Sequence, residues 1–436
     1  MGHLVGKALY RQLGRKLDGL AARAPWTESF HAILKELYAE EDAELIVRMP
    51  YGLAPIERIE KLTKLPRPRL EKQLASLTAR GLVMDLFIDG RYYYTPSPMV
   101  VGIFEFTMMR TGGVDHKKLA GLFYRYMHEE GFMAANWGSG QQIAVARALP
   151  HEGTVVPDEH VEVMDYEKAT AIIESSERFA MGLCACRHEK RHLGQAPCAA
   201  PLDNCSSLGP LAVDFLVRNQ LAREVSKTEM LENVARSREL GLVINADNVR
   251  RNVTFFCHCC GCCCSMLLGI SRHGYTNAVV TSAYIAGSDR DTCKGCGTCT
   301  RQCPIGAIVR VPDEDPRFRK HGRPQIDESR CLGCGVCAVK CRSGAMKLHP
   351  RPQRIFYPDG LFEKSILQAL EQGTLQNQLF DDPGRLTHKF LRGFVGAVLN
   401  LSPVKHALLS DALRSRFLHA IKGGAARTRN KAAIDL

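Results

Sequence analysis

Cysteine is the residue type in this sequence best suited to chemistry, because 18 of the 436 residues are cysteines. Eight of them form two halves with the same spacing, C-x2-C-x2-C-x3-C, and the second half repeats the first at an offset of 38 residues. Three thiolates at this spacing can wrap one face of a cubane iron–sulfur cluster, while the fourth reaches a second cluster. A zinc site requires no such exchange of ligands between halves. The eight are Cys293, Cys296, Cys299 and Cys303, followed by Cys331, Cys334, Cys337 and Cys341.

Residues 291–346, which carry this repeat, resemble the bacterial-type dicluster ferredoxins. The resemblance implies two [4Fe–4S] clusters with exchanged ligands. One cluster would be held by Cys293, Cys296, Cys299 and Cys341, and the other by Cys331, Cys334, Cys337 and Cys303.

Two departures from the ferredoxin pattern are visible in the sequence. The proline that follows the fourth cysteine is present as Pro304 but is replaced by Arg342 in the second half, and residues 309–325 form a longer, charged insertion. A guanidinium beside a reduced, negatively charged cluster favours reduction. We therefore expect the cluster ligated by Cys341 to have the higher potential, and the insertion to affect loop packing rather than ligation.

Ten further cysteines lie upstream in two segments. The first has the spacing C-x-C-x11-C-x6-C, and its glycines and prolines predict that the ligands sit on loops rather than on one helix. The second is the run of residues 257–264, in which only His258 and Gly261 are not cysteine. The ten are Cys184, Cys186, Cys198, Cys205, Cys257, Cys259, Cys260, Cys262, Cys263 and Cys264.

The grouping of these ten thiols stays open at the level of sequence. The four of the first segment could close a tetrahedral site. Alternatively, Cys257, Cys260 and Cys263 repeat the ferredoxin spacing, but Leu267 stands where their fourth ligand would fall. That ligand could come from the first segment or from His258, or the site could stay open for a substrate. One or two additional iron–sulfur clusters are the leading interpretation, with structural zinc and redox-active thiols as alternatives.

Two looser resemblances concern the upstream cysteines. The Cys-Cys-Gly stretch is similar to the motif of heterodisulfide-reductase-like subunits, although the long spacings around that motif are absent. The order of a C-x-C segment, a Cys-Cys-Gly-Cys-Cys segment, a dicluster ferredoxin and a basic tail resembles uncharacterised bacterial iron–sulfur proteins. This resemblance implies a redox role in the cytoplasm but does not indicate a substrate.

The length of 436 residues suits about three domains, and 45% apolar residues can build ordinary cores. We expect no secretory leader, because residues 1–25 are basic and lack an apolar core, and no spanning helix, because no uncharged apolar run reaches about 18 residues. The net charge of +12 is uneven, since residues 351–436 hold thirteen Lys or Arg against seven Asp or Glu. Cysteines that are adjacent in the sequence of such a chain favour metal ligation over disulfides.

The predicted organisation begins with a basic amphipathic helix over residues 1–27. Its Leu9, Leu13, Leu17 and Leu20 recur at helical spacing, with Arg11, Arg15 and Lys16 elsewhere on the turn. Packing on the protein itself, docking on a partner or an anionic membrane surface, and a transit peptide are the three interpretations.

Residues 28–100 resemble a winged helix-turn-helix module, because helices are followed by a hairpin around Asp89-Gly90. Helices are predicted over residues 54–64 and 66–82, with Leu70, Leu74 and Leu77 on one stripe. From residue 54 to residue 95 there are eight basic and five acidic residues, with Arg67, Arg69, Lys72 and Arg80 near the would-be recognition helix. Operator-reading domains usually show a denser basic face, so a structural or docking role is favoured over DNA binding.

The remaining predicted ranges are a helical and cysteine-rich region over 101–290, the dicluster domain over 291–346 and a basic helical tail over 347–436. A short strand is predicted over residues 160–164, a helix from Tyr166, a capped helix from Ser226 and a strand over 253–256. The fold class is therefore an α+β multidomain chain with a winged-helix-like module, a cysteine-rich α/β middle and a ferredoxin-like domain with a helical tail.

The sequence favours an electron-transfer subunit over an enzyme acting alone, since it contains neither a G-x-G-x-x-G after a strand nor a phosphate-binding lysine motif. We expect electrons to pass through the clusters to a partner oxidoreductase, in the cytoplasm and with peripheral membrane contact through the basic ends. A reductase with an open-site cluster and a redox-sensing DNA-binding regulator are the alternatives.

Overall fold

The computed structural model describes residues 2–156, 163–195, 198–319, 322–353 and 355–427, which form two compact units. The first unit comprises Met1–Ile143, Asp214–Ala222 and Asp359–Leu436, and the second Ala144–Val213 and Arg223–Pro358. The second unit contains all eighteen cysteines. The predicted ranges 1–27 and 28–100 fall in the first unit and 291–346 in the second, whereas 101–290 contributes to both.

Up to residue 143 the chain is mainly helical, with one small sheet. The elements are α1 Gly2–Asp18, α2 Glu28–Leu37, α3 Glu40–Arg48, β1 Ala54–Pro55, α4 Ile56–Thr63, α5 Arg67–Ala79, β2 Val83–Ile88, β3 Arg91–Pro96, α6 Phe104–Met109, α7 His116–His128 and α8 Phe132–Trp137. The three strands are antiparallel in the order β1-β3-β2.

The predicted stripe and hairpin of this region are both present. Leu70, Leu74 and Leu77 of α5 are buried on one face, as spacings of three and four residues require. Asp89 and Gly90 both have positive φ, at 50° and 80°, which fits the two-residue turn that joins β2 to β3. This is the element order on which the winged-helix resemblance rests.

Helix α1 packs by its leucines, with one departure from the prediction. Leu13 and Leu17 are buried, while Arg11 and Arg15 are exposed. Lys16 was expected with the two arginines but is only 3% exposed. Its ammonium donates to the carbonyl of Met49, and this hydrogen bond allows the charged end of a long side chain to be buried.

The middle of the chain builds a six-stranded sheet. Its elements are β4 Ala146–Leu149, α9 Ala169–Glu174, β5 Phe179–Gly182, α10 Ala185–His192, β6 Cys205–Leu208, α11 Pro210–Arg218, β7 Ala222–Val225, α12 Lys227–Leu240, β8 Val243–Asp247, β9 Phe255–Cys259 and α13 Ser265–Ser271. The strand order is β4-β8-β9-β6-β5-β7, and the pairs β4–β8, β8–β9, β9–β6 and β6–β5 are antiparallel.

Several local predictions can be compared with these elements. The Ser226 hydroxyl accepts from the Glu229 N–H at 3.2 Å, so the predicted cap of α12 is confirmed. The strand predicted over 253–256 starts at Phe255 and continues through Cys259. The helix predicted from Tyr166 is a 3-10 turn, Asp165–Glu167, followed by α9. Most of the strand predicted over 160–164 lies outside the described residues.

The ferredoxin-like segment contains short elements around its cysteine loops. They are β10 Tyr284–Ser288, α14 Thr298–Gln302, β11 Ile308–Val311, β12 Arg323–Ile326, α15 Val336–Val339 and β13 Met346–Pro350. Strands β10 and β13 pair antiparallel, as do β11 and β12. The predicted insertion is therefore a hairpin, and Arg290 binds it through two hydrogen bonds to Asp313, at 2.9 and 3.0 Å.

The chain ends in helices α16 Leu361–Gln372, α17 Leu375–Leu379, α18 Leu386–Leu399, α19 Ser402–Leu409 and α20 Asp411–Arg427. The prediction of a chain that mixes helices with small sheets is confirmed. None of the described helices is both long and apolar enough to cross a bilayer.

Candidate metal centres

The two halves of the ferredoxin-like repeat share a backbone conformation as well as a spacing. Glycines at corresponding positions have similar positive φ values, 69° at Gly297 and 78° at Gly335, and each directly precedes a short helix. Positive φ strains any residue with a Cβ, so glycine is required at these turns. A Cβ at Gly295 would also lie 2.3 Å from the Arg317 carbonyl oxygen, so the insertion hairpin packs directly on the first cysteine loop.

The first predicted ligand set runs from the surface into the protein. Cys296 is exposed, and its sulfur lies 3.4 Å from the Thr298 hydroxyl, whose hydrogen bond lowers the pKa of the thiol. Cys299 is buried, and burial raises its pKa, with a further contribution from the thiols of Cys293 and Cys341. Cys299 therefore lies near both Cys293 of its own half and Cys341 of the other half of the repeat.

The second predicted ligand set lines a single cavity. Cys303, Cys331, Cys334 and Cys337 all face it, together with apolar side chains such as Ile305 and Leu348. Burial raises the pKa of Cys334 to about 12, and the neighbouring thiols of Cys303 and Cys331 add to this effect. A thiolate in such a place needs a positive charge beside it, which a bound metal supplies.

These residues fit a cubane cluster by the chemistry of their donors. Four thiols converge on one apolar cavity, and the Ala307 N–H donates to the Cys303 sulfur at 3.2 Å. Hydrogen bonds from the backbone to sulfur are among the interactions that set cluster potentials. Part of the enclosing wall comes from outside the segment, because the His151 N–H donates to the Cys334 carbonyl at 3.0 Å.

Upstream, the structure brings four thiols together from two segments. Their sulfur atoms all lie within 4.8 Å of one another. We call these four residues the Cys198 group, and they are Cys198, Cys260, Cys262 and Cys263. Ala200 and Leu242 pack against them. The pKa of Cys260 is lowered, because it accepts from the Cys263 thiol and lies near the Arg187 guanidinium, although burial acts in the opposite direction. Four convergent thiolates suit an iron–sulfur cluster or a zinc ion equally by number.

This grouping differs from the two that the spacing suggested. Cys257 is not part of the Cys198 group, and Cys262 stands in its place. The reason is local: Cys257 lies within strand β9, whereas Cys260, Cys262 and Cys263 follow the strand in a turn. The four cysteines of the first segment also do not form one group among the described residues, since Cys198 alone joins the later turn.

His258 is a candidate non-cysteine ligand by sequence, but its surroundings do not suit that role. Successive residues of a strand face opposite sides, so His258 points away from Cys257 and Cys259. Its Nδ1 lies 2.7 Å from the Ser237 hydroxyl, and its Nε2 lies 2.9 Å from the Ser206 hydroxyl. Burial lowers the pKa of this histidine to about 3, so it is a neutral residue of the core.

The remaining upstream cysteines occupy regular elements rather than loops alone. Cys186 lies in the first turn of α10, and Cys205 is the first residue of β6, so these two do not sit on loops as predicted, although the four cysteines do not share one helix. Cys184 occupies the N-cap position of α10, and Cys264 that of α13.

Two residues that sequence reasoning did not assign to a centre contact these cysteines. Arg187, which directly follows the C-x-C pair, is buried and lies near Cys260. Gly261 lies against the ferredoxin-like segment, since a Cβ there would be 2.3 Å from the Pro304 carbonyl oxygen. The position of Arg187 beside two cysteines could have been read as a signal, whereas the contact of Gly261 is visible only in the fold.

Comparison with known proteins agrees with this geometry for one part of the chain. Residues 292–345 match the family model of the 4Fe-4S dicluster domain. No curated protein and no solved structure matches the chain. The chain therefore contains a ferredoxin-like iron–sulfur domain, and its cysteine-rich regions support the binding of [4Fe–4S] clusters.

Proposed function

We propose that this protein relays electrons from a low-potential donor to a partner oxidoreductase, through the two ligand sets of the ferredoxin-like segment and through the Cys198 group. One contact carries the proposal. Gly261, inside the Cys198 group's turn, packs on Pro304, which directly follows the second-set ligand Cys303. The two cysteine sites thus adjoin through neighbouring backbone, as a continuous electron path requires.

Different residues would bind the clusters, line the cavity and contact the partner in such a relay. A [4Fe–4S] cluster, when bound, takes up and releases one electron at a time. Cys293, Cys296, Cys299 and Cys341 would hold one cluster, and Cys303, Cys331, Cys334 and Cys337 the other. Apolar side chains line much of the second cavity, and the exposed Cys296 would mark the side at which a partner approaches. Exposed Lys294 and Arg301 on that side suit an acidic partner surface.

The proposal can be tested by electron paramagnetic resonance on the anaerobically reconstituted chain. Full reduction should produce spin–spin splitting between the second-set cluster and the Cys198 centre, because the two adjoin. Cys198→Ser should remove that splitting and leave the ferredoxin-type signals in place, while Cys296→Ser serves as the matched change at the far end. A reduced chain whose splitting is the same in Cys198→Ser would exclude the Cys198 group from the path.

A relay is favoured over a reductase with an open-site cluster. The Cys198 group offers four thiols within 4.8 Å, so each iron of a cubane held there has a protein ligand. A DNA-binding role is also disfavoured. Arg67 of α5 is paired with three glutamates, Arg69 with Glu41 and Arg80 with Asp42, so these charges are already compensated within the protein. A docking or structural role for residues 28–100 is the better hypothesis.

We further propose that helix α18 lies on an anionic membrane surface. Its Leu386, Phe390, Phe394 and Val398 recur every four residues and are 81%, 72%, 63% and 41% exposed, which is unusual for such a continuous apolar stripe. Exposed Arg385 and Lys389 flank it. An apolar stripe beside basic side chains suits the boundary between acyl chains and acidic headgroups.

Co-sedimentation of the full chain with phosphatidylcholine vesicles, with and without phosphatidylserine, tests this surface. Binding should require phosphatidylserine, weaken as salt is raised and be lost in Phe390→Ser/Phe394→Ser. Phe87→Ser, which changes an exposed phenylalanine on the β2–β3 hairpin, is the control and should bind normally. Self-association that the double variant abolishes, without any vesicle binding, would identify the stripe as a contact between copies of the chain instead.

A further inference from the structure

Six of the ten upstream cysteines lie outside the Cys198 group, and strand pairing brings two of them together. Cys257 and Cys259 share one face of β9. The register pairs Ser206 with Phe256, which places Cys205 of β6 directly opposite Cys257. Cross-strand neighbours of this kind have Cβ atoms about 4.5–5.5 Å apart.

The N-terminal ends of α10 and α13 position the other thiols near the same place. The Cys186 thiol lies near that of Cys264, the Cys264 thiol near that of Cys259, and the Cys259 thiol near that of Cys257. Cys184, at the N-cap position of α10, lies near both Cys257 and Cys259. We call these residues the Cys257 group: Cys184, Cys186, Cys205, Cys257, Cys259 and Cys264. All six are free thiols.

Arg187 supplies a second and independent observation. Its side chain is 1% exposed, and its oxygen partners are the Asn204 Oδ1 at 2.6 Å, the Pro201 carbonyl at 3.0 Å and the His258 carbonyl, all of them neutral. Its Nε has no hydrogen-bond partner among the described residues. The buried carboxylate on the same helix, Glu189, is paired with Lys190 at 3.2 Å.

A buried guanidinium without an anion is strongly unfavourable, because burial removes its hydration. Among the described residues, the groups with the largest electrostatic effect on Arg187 are cysteines of both groups, Cys184, Cys259 and Cys260. Neutral thiols would not compensate the cation. Thiolates bound to a metal centre would, and they would be stabilised by it in return.

We propose that the Cys257 group holds a further iron–sulfur centre, and that Arg187 is the buried counter-cation shared by this centre and the Cys198 group. Six thiolates exceed the four that a zinc ion takes, which favours a polynuclear centre. The inference deepens the proposed relay and rests on it, since it adds a centre beside the Cys198 group, on the side of Arg187.

Metal analysis of the full chain, purified anaerobically, tests the site. With a cubane at each of four places, iron and acid-labile sulfide should each reach about sixteen per chain. Cys186→Ser/Cys264→Ser should lose about four iron atoms and keep the ferredoxin-type signals. Cys198→Ser should instead lose the signals of the centre held by the Cys198 group. If the double variant keeps all its iron, or if zinc replaces that iron in the wild-type chain, the Cys257 group holds no iron–sulfur centre. If the wild-type chain shows no ferredoxin-type signals at all, that result would instead count against the relay as a whole.

The role of Arg187 has a separate readout in the redox titration. Arg187→Gln should lower the potentials of the upstream centres by at least tenfold in the redox equilibrium constant, equivalent to about 59 mV for one electron. Arg187→Lys should restore part of this shift, and the ferredoxin-type potentials should not move in either variant. Unchanged upstream potentials in an iron-replete Arg187→Gln chain would overturn the assignment.

Discussion

The ferredoxin-like segment and the upstream cysteine region place thiols around candidate centres in opposite ways. In the segment, ligands three residues apart lie on tight turns built by glycines such as Gly297 and Gly335, and little regular structure surrounds them. Upstream, a six-stranded sheet with its own core brings cysteines from a helix start, two strands and a turn together. From this difference we expect the segment to depend on its clusters to fold and the upstream region to be folded by its sheet.

Removal of the metal should separate the two regions most strongly. Apolar residues of the segment, such as Ile305, Leu332 and Leu348, line the second cavity, so an emptied site leaves them facing a void. Strand β8, with all five residues buried, does not depend on a cluster. We expect amide exchange in residues 293–341 to accelerate roughly 100-fold or more after iron removal, because metal binding and folding are coupled, while β8 stays protected.

Hydrogen exchange read by mass spectrometry, on matched loaded and iron-free samples, checks this difference. The four helices α2 to α5 of the first unit provide an internal control, since they carry no cysteine. Equal protection of residues 293–341 in both samples would show that the segment folds without its clusters, and the contrast between the regions would disappear.

The same contrast explains what sequence could predict. The ferredoxin-type cysteines repeat at a fixed offset, so the dicluster domain could be predicted from local spacing, and the resemblance to dicluster ferredoxins implied the two ligand sets. The Ser226 cap and the Asp89-Gly90 turn could be predicted equally well, because caps and turns depend on neighbouring residues. The grouping of Cys198 with Cys262 could not be predicted, since it depends on how β9 ends and on where the loop that carries Cys198 lies in the fold. The burial of Lys16 and the cross-strand placement of Cys205 likewise follow from tertiary packing rather than from periodicity.

A smaller effect is expected where the two regions meet. In Gly261→Ala, the new Cβ would lie 2.3 Å from the Pro304 carbonyl oxygen, so the two backbones must move apart. We expect the free energy of unfolding to fall by about 1–3 kcal/mol, as for other overpacked contacts. Iron content should stay unchanged, and the splitting between the second-set cluster and the Cys198 centre should weaken. Denaturant unfolding and paramagnetic resonance measure the two effects.

Gly112→Ala is the matched control for this variant, because nothing lies within 4 Å of a Cβ built there and its φ is not positive. It should leave both stability and splitting as they are. If Gly261→Ala retains full splitting, the contact with Pro304 is structural packing and does not set the distance between the centres.

The smallest expected effect lies within the ferredoxin-like repeat, where its two halves differ by the residue after the fourth cysteine. Arg342 is exposed and directly follows Cys341, which belongs to the first ligand set, whereas Pro304 follows Cys303 of the second. Because solvent screens an exposed charge, Arg342→Gln should lower the potential of the first-set cluster by only roughly 20 mV. The second-set cluster is the control within the same molecule and should not shift. Titration at low and high salt sharpens the result, since the difference should shrink as salt is added. A first-set potential that does not change at low salt would mean that Arg342 does not account for any difference between the two clusters, and that burial and N–H donors such as Ala307 set their potentials instead.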